Sequence, residues 1–83
     1  MFEIYGRNNC VWCDRAKALL DEKGLPYTYH NIEEDIKALA EFKFTFRGAK
    51  TVPQIATGMY DEVKVIGGYE DLHEWLKLYT VKS

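Results

Sequence analysis

Eighty-three residues, 47% of them hydrophobic and 14% aromatic, suffice for one small core without help from metal or extra disulfides, so residues 1–83 are read as a single domain. A formal net charge of −2 with interspersed signs offers no footprint for nucleic acid or an anionic membrane. No apolar run approaches membrane-spanning length, and Met1-Phe2-Glu3-Ile4-Tyr5 is unlike a signal peptide, so the expected location is cytoplasmic.

Phe2-Glu3-Ile4-Tyr5 alternates apolar and polar residues and reads as a strand, followed by the loop Gly6-Arg7-Asn8-Asn9. This loop delivers Cys10-Val11-Trp12-Cys13 to the start of a helix that runs to about Lys23, where Gly24 and Pro26 end it. Cys13, Ala16, Leu19 and Leu20 share one face of that helix, so Cys13 is expected to point inward and Cys10 to stay accessible.

The spacing of the two thiols carries the chemistry. Unpaired backbone N–H groups and the macrodipole at a helix start favour a thiolate, and two intervening residues let the second sulfur reach the first. Cys10 is therefore expected to attack an external disulfide and Cys13 to resolve the mixed disulfide that forms. A structural zinc site would need two more ligands, and His30 and His73 lack zinc-ligand spacing, so no metal is expected. A permanent staple would constrain too short a loop to stabilise much, and in a reducing compartment a lone pair points to catalysis. Arg7, three residues before Cys10, is placed either to support a thiolate or an incoming carboxylate, or to be a solvated loop charge.

Tyr27-Thr28-Tyr29-His30 reads as a second strand, parallel to the first. His30 is left out of the site, because a thiol of low pKa needs no imidazole base. Asn31 with Glu34 resembles a capping box, so a second helix is expected from there to Arg47-Gly48, with Ile36, Leu39, Ala40 and Lys43 on one face. Phe42, Phe44 and Phe46 are too many for one stripe, and at least one is expected to be partly exposed. Val52-Pro53-Gln54-Ile55-Ala56 reads as a strand opened by a proline whose peptide bond is trans on general frequency. Turn residues from Thr57 to Asp61 then join it to Glu62-Val63-Lys64-Val65-Ile66 as an antiparallel hairpin. Gly67-Gly68 precedes a third helix with the stripe Leu72, Trp75, Leu76 and Tyr79, and is either a carboxylate-facing turn or a plain chain reversal. The tail from Thr80 to Ser83 is expected to fray.

Three motifs now stand in sequence: C-x-x-C opening the first helix, Thr51-Val52-Pro53 before the third strand, and Gly67-Gly68-Tyr69-Glu70-Asp71 before the last helix. With the lead-in Ile4-Tyr5-x-Arg7-x-x-Cys10 and the run Ala16-Lys17-Ala18-Leu19-Leu20, the chain resembles the glutaredoxins of the thioredoxin-like superfamily over essentially its whole length. The small dithiol members of bacteria and bacteriophages are the nearest in kind. The resemblance implies an α/β thioredoxin-like fold, a four-stranded mixed sheet flanked by three helices in the order β-α-β-α-β-β-α. It also implies a glutathione-dependent disulfide oxidoreductase with glutathione as co-substrate. Cys10 would be the nucleophile and Cys13 the resolving thiol. Arg7 and Lys50 would neutralise the glycyl carboxylate of glutathione, and Trp12 would wall the groove. Thr51 and the backbone of Val52, next to a cis Pro53, would hold the cysteinyl part as an added strand would. Asp71, with backbone N–H groups near Gly68 and Glu70, would take the γ-glutamyl end.

The chain departs from the family pattern in three places. Val11 replaces the usual proline and leaves its N–H available to Cys10, Lys50-Thr51 replaces a more frequent Thr-Thr, and the hairpin from Thr57 to Glu62 looks long. Expected partners are disulfide-containing or glutathionylated proteins, ribonucleotide reductase among them, served by a monomer. Two other readings stand beside this one. One is a redoxin-type donor reduced by thioredoxin reductase, which Val11 fits. The other is a module that binds an iron–sulfur cluster through Cys10 and glutathione across a dimer.

Overall fold

Alternation along the strands gives the sheet two faces, and each face has its own core. The computed structural model describes residues 1–59 and 62–80, with Met59, Glu62, Tyr79 and Thr80 described by backbone alone. The elements are β1 (Phe2–Gly6), α1 (Val11–Glu22), β2 (Tyr27–Asn31), α2 (Ile36–Thr45), β3 (Gln54–Met59), β4 (Glu62–Gly67) and α3 (Tyr69–Thr80), the expected order. They build one four-stranded sheet in the order β2-β1-β3-β4, with β1 parallel to β2 and antiparallel to β3, and β3 antiparallel to β4. This is the mixed sheet with three helices that the sequence predicts. Of the turn expected from Thr57 to Asp61, Thr57 to Met59 instead continue β3 and Tyr60-Asp61 lie outside the described residues; of the tail expected from Thr80, Thr80 ends α3 and Val81 to Ser83 lie outside, as does the side chain of Tyr79.

On one face Phe2 and Ile4 of β1 and Ile55 of β3 meet Ala16 and Leu20 of α1 and Leu72 and Leu76 of α3. Ile4, Leu20, Ile55 and Leu72 have no exposed surface, and each such side chain contributes about 1.5–3 kcal/mol by leaving water. The helical stripes read from the sequence are therefore the ones that pack. Trp75 is partly buried against the same core, edge-on to Phe2 with ring centroids 5.5 Å apart.

The opposite face holds a smaller aromatic core of Tyr5, Phe42, Phe46 and Ala56, covered by α2. Here the structure corrects the sequence reading. The helix begins at Ile36 with Asp35 as its cap, whose carboxylate accepts from the backbone N–H of Lys37 at 2.9 Å. Asn31 instead closes a turn, its Oδ1 accepting from the backbone N–H of Glu33 at 2.9 Å. With that start, α2 buries Ala38 and Phe42, and Ile36 and Ala40 face solvent, Ile36 at 82% exposure. Two phenylalanines four residues apart bring more apolar area to the sheet than Ile36 and Ala40 offer. Phe44 is the exposed member of the aromatic trio, at 73%. Strand β3 starts at Gln54 rather than at Val52, and the Val52-Pro53 peptide bond is cis, as the family resemblance implies and general frequency does not. Burial and the nearby Glu41 and Glu3 carboxylates push the Tyr5 phenol up to about 12, so it stays neutral and donates to Glu41 at 3.3 Å.

Candidate functional site

Cys10 is the N-cap of α1, in extended conformation, and its sulfur accepts from the backbone N–H of Cys13 at 3.1 Å. The two cysteines form a disulfide across a Cα separation of 5.2 Å. Cys13 is fully buried, as the helical stripe requires. Cys10 is less accessible than expected, with 6% of its surface exposed, because its sulfur folds back over the first turn onto Cys13. What remains open is a narrow approach to one sulfur, and it is the sulfur that sits against the positive end of the helix.

The loop before Cys10 is held from the corner that follows β2. The Tyr29 hydroxyl donates to the carbonyl of Arg7 at 3.0 Å, and the backbone N–H of Asn8 donates to the Glu33 carboxylate at 3.0 Å. The Asn8 amide donates to Glu34 at 3.1 Å and accepts from Asn31 at 2.8 Å. Asn9 takes a positive φ of 51°, a conformation asparagine tolerates better than most residues. Sequence reasoning missed this clamp. Its signal was the run Asn31 to Glu34, whose polar side chains bond across to Asn8 instead of capping a helix.

Two adjoining hollows are lined by chain neighbours of Cys10, Trp12 in one and Arg7 in the other. The first, about 240 Å³, is lined by Trp12, Thr51, Val52, Pro53 and the start of α3 from Gly68 to Asp71. The second, about 370 Å³, is lined by Arg7, Lys50, Thr51 and Val52, with Ile32, Phe42 and Ala49 as its apolar wall. Thr51 and Val52 belong to both, so the hollows read as one groove whose ridge is the segment before β3. All nine binding residues named from the sequence line this groove: Arg7 and Lys50 at one end, Thr51, Val52 and Pro53 at the centre, and Trp12, Gly68, Glu70 and Asp71 at the other.

The Asp71 end differs in one respect from the expectation. The backbone N–H of Gly68 is already engaged, donating to the Asp71 carboxylate at 3.1 Å. Asp71 thus caps α3 and still presents its charge to the groove, while the Gly68 N–H is not a spare donor. The steric demand also falls on the other glycine of the pair. Gly67 has φ of 120°, and a side chain there would run into the Asp71 carboxylate, whereas one at Gly68 would meet only the Pro53 carbonyl at 3.6 Å. Tyr69 is a groove residue that the sequence reading did not single out. Its ring lies 5.4 Å from that of Trp12, whose centroid is 4.6 Å from the Arg15 guanidinium. Among the described residues no three His, Cys, Asp or Glu side chains converge as a metal site, and no helix is long and apolar enough to cross a membrane.

The arrangement performs one chemistry directly. Two cysteines that open and close one disulfide at a helix start can carry out thiol–disulfide exchange with an external disulfide. Comparison with known proteins agrees with that reading. The Glutaredoxin family pattern matches residues 2–59. Glutaredoxin 3 of Escherichia coli (strain K12) is 38% identical over 71 residues, covering 86% of this chain and 80% of that protein. The glutaredoxin of Enterobacteria phage T4 is 30% identical over 90 residues, covering 93% of this chain and 100% of that protein. Among solved structures, reduced Escherichia coli glutaredoxin superposes with a TM-score of 0.71 at 31% identity, covering 99% of this chain and 98% of its own. A buckwheat glutaredoxin–glutathione complex superposes at 0.75 with 23% identity, covering 96% and 71%, a likeness of fold. With a helix-start C-x-x-C disulfide, a cis proline sharing a hollow with Trp12 and these relatives, the chain belongs to the glutaredoxin family and is a thiol–disulfide oxidoreductase.

Proposed function

We propose that this protein is a dithiol glutaredoxin that uses glutathione as co-substrate to reduce protein disulfides and glutathione mixed disulfides, acting as a monomeric single domain in the cytoplasm. Cys10 attacks the substrate disulfide, Cys13 or glutathione resolves the mixed disulfide, and two glutathiones restore the dithiol. The observation that carries the reading is the charge layout of the groove. Arg7 and Lys50 make no ion pair among the described residues and sit at one end, and the Asp71 carboxylate sits at the other. Glutathione has a carboxylate at its glycyl end and an ammonium beside an α-carboxylate at its γ-glutamyl end, with the reacting sulfur between them. Laid along Thr51 and Val52 as an added strand, it meets charge of the right sign at both ends and brings its sulfur to Cys10. Ribonucleotide reductase is one protein disulfide such a donor would serve.

The test is a pair of coupled assays on a small glutathione mixed disulfide, one driven by glutathione, glutathione reductase and NADPH, the other by thioredoxin reductase and NADPH. NADPH oxidation in the first alone is the expected result. Turnover in the second alone would overturn the proposal in favour of a redoxin-type donor.

A further inference from the structure

Cys13 has no exposed surface, yet each reduction of the Cys10–Cys13 disulfide must leave an electron pair on its sulfur. A reductant thiolate attacks Cys10 Sγ, the bond between the two cysteines breaks, and Cys13 departs as a thiolate while Cys10 joins the reductant. A buried anion without a partner is costly, so the surroundings of that sulfur matter. Gly6 of β1 reveals them. A side chain on Gly6 would run into the Tyr29 hydroxyl and into the Cys13 sulfur, the latter at 2.7 Å. The hydroxyl and the sulfur therefore border the same point beside the β1 backbone, the place a Gly6 side chain would fill. Lys17 packs on the Tyr29 ring, its ammonium 4.1 Å from the ring centroid and 3.5 Å from the Asp14 carboxylate.

We propose that Tyr29 is the hydrogen-bond donor that receives the Cys13 thiolate as the disulfide opens. In the disulfide form its single proton goes to the Arg7 carbonyl at 3.0 Å. Arg7 is exposed, so water can replace that bond when the hydroxyl turns to the sulfur. Charged acceptors draw hydrogen bonds more strongly than neutral ones, which gives the turn its direction. Burial, with Asp14 and Glu33 adding to it and Arg7 opposing, holds the Tyr29 phenol above its ordinary value. The proton therefore stays on oxygen, and Tyr29 serves as a donor and not as a base. The competing role for Tyr29 is a clamp on the Arg7 loop alone, which would act on every reaction at Cys10.

The experiment separates the two roles and depends on thiol–disulfide exchange only, not on glutathione. In the full protein, reduction of the Cys10–Cys13 disulfide by dithiothreitol is followed by stopped-flow tryptophan fluorescence, with and without Tyr29→Phe. In a Cys13→Ser background, Cys10 is converted to its mixed disulfide with 2-mercaptoethanol and reduced in the same way, again with and without Tyr29→Phe. There dithiothreitol attacks the exposed mercaptoethanol sulfur and the departing thiolate is that of Cys10 at the helix start, so Tyr29 has no Cys13 anion to receive. Tyr29→Phe should slow the first reaction about tenfold, the size of one hydrogen bond to a charged group, and change the second by less than about twofold. Equal slowing of both reactions, whether from a loosened loop or a disturbed fold, would overturn the proposal, and so would no slowing of either.

Discussion

The two ends of the groove are built differently. At the Asp71 end the carboxylate is fixed by the Gly68 N–H at the start of a helix whose Leu72 and Leu76 anchor the main core, and the Trp12–Tyr69 pair walls it in. At the other end Arg7 and Lys50, exposed as Asp71 is, stand on loops with the Arg7 carbonyl held by Tyr29 and their charges unpaired among the described residues. A preorganised charge in a walled site discriminates between ligands by geometry. Exposed flexible cations attract over distance and are screened by salt. The first end should therefore set specificity, and the second should mainly raise local ligand concentration.

Asp71→Asn is the sharpest way to break that contrast, because the amide keeps an oxygen for the Gly68 N–H while removing the charge. We expect KM for glutathione to rise about tenfold, the size of one charge-assisted contact, with the thermal midpoint nearly unchanged. Asp71→Ala would lose the cap as well and should add a cost of about 1 kcal/mol in stability. The expected effects are smaller at the other end. Arg7→Ala and Lys50→Ala should each raise KM about threefold at low ionic strength, and the difference should shrink by 0.5 M salt as the Debye length falls to roughly 4 Å. A salt dependence equal at both ends would remove the distinction.

How much of this was legible in the sequence follows the same division of labour between periodic elements and corners. The helical stripes of α1 and α3 were readable because Cys13, Ala16 and Leu20, and Leu72 and Leu76, recur at 3.6-residue spacing and face one dominant core. The α2 face was misread because Phe42 and Phe46 compete with Ile36 and Ala40 for a small second core, and sequence spacing cannot weigh aromatic area against aliphatic position. All nine groove residues could be named, Arg7 and Gly68 as candidates from the residues themselves and the full set only through family resemblance. No periodicity links Arg7 to Asp71, which the sheet order β2-β1-β3-β4 brings to opposite ends of one groove. The tie from Asn8 to Glu33 and Glu34 was invisible for the same reason, since its partners are 25 and 26 residues apart. Tyr69 was passed over because a helix-start aromatic has no spacing signature of its own. The demand on Gly67 rather than Gly68 appears only when the position of the Asp71 carboxylate is known.

The central claim is that one groove with opposite charges at its ends holds glutathione beside Cys10. The most direct test is to form the glutathione mixed disulfide on Cys10 of the Cys13→Ser protein and map backbone amide shifts by NMR against the same variant in its reduced form. The account predicts the largest changes at Val52, at Tyr69 to Asp71 and at Lys50, with the amides of β4 near Val63 unmoved. Changes confined to the residues around Cys10, or centred on the sheet face near Val63, would contradict it.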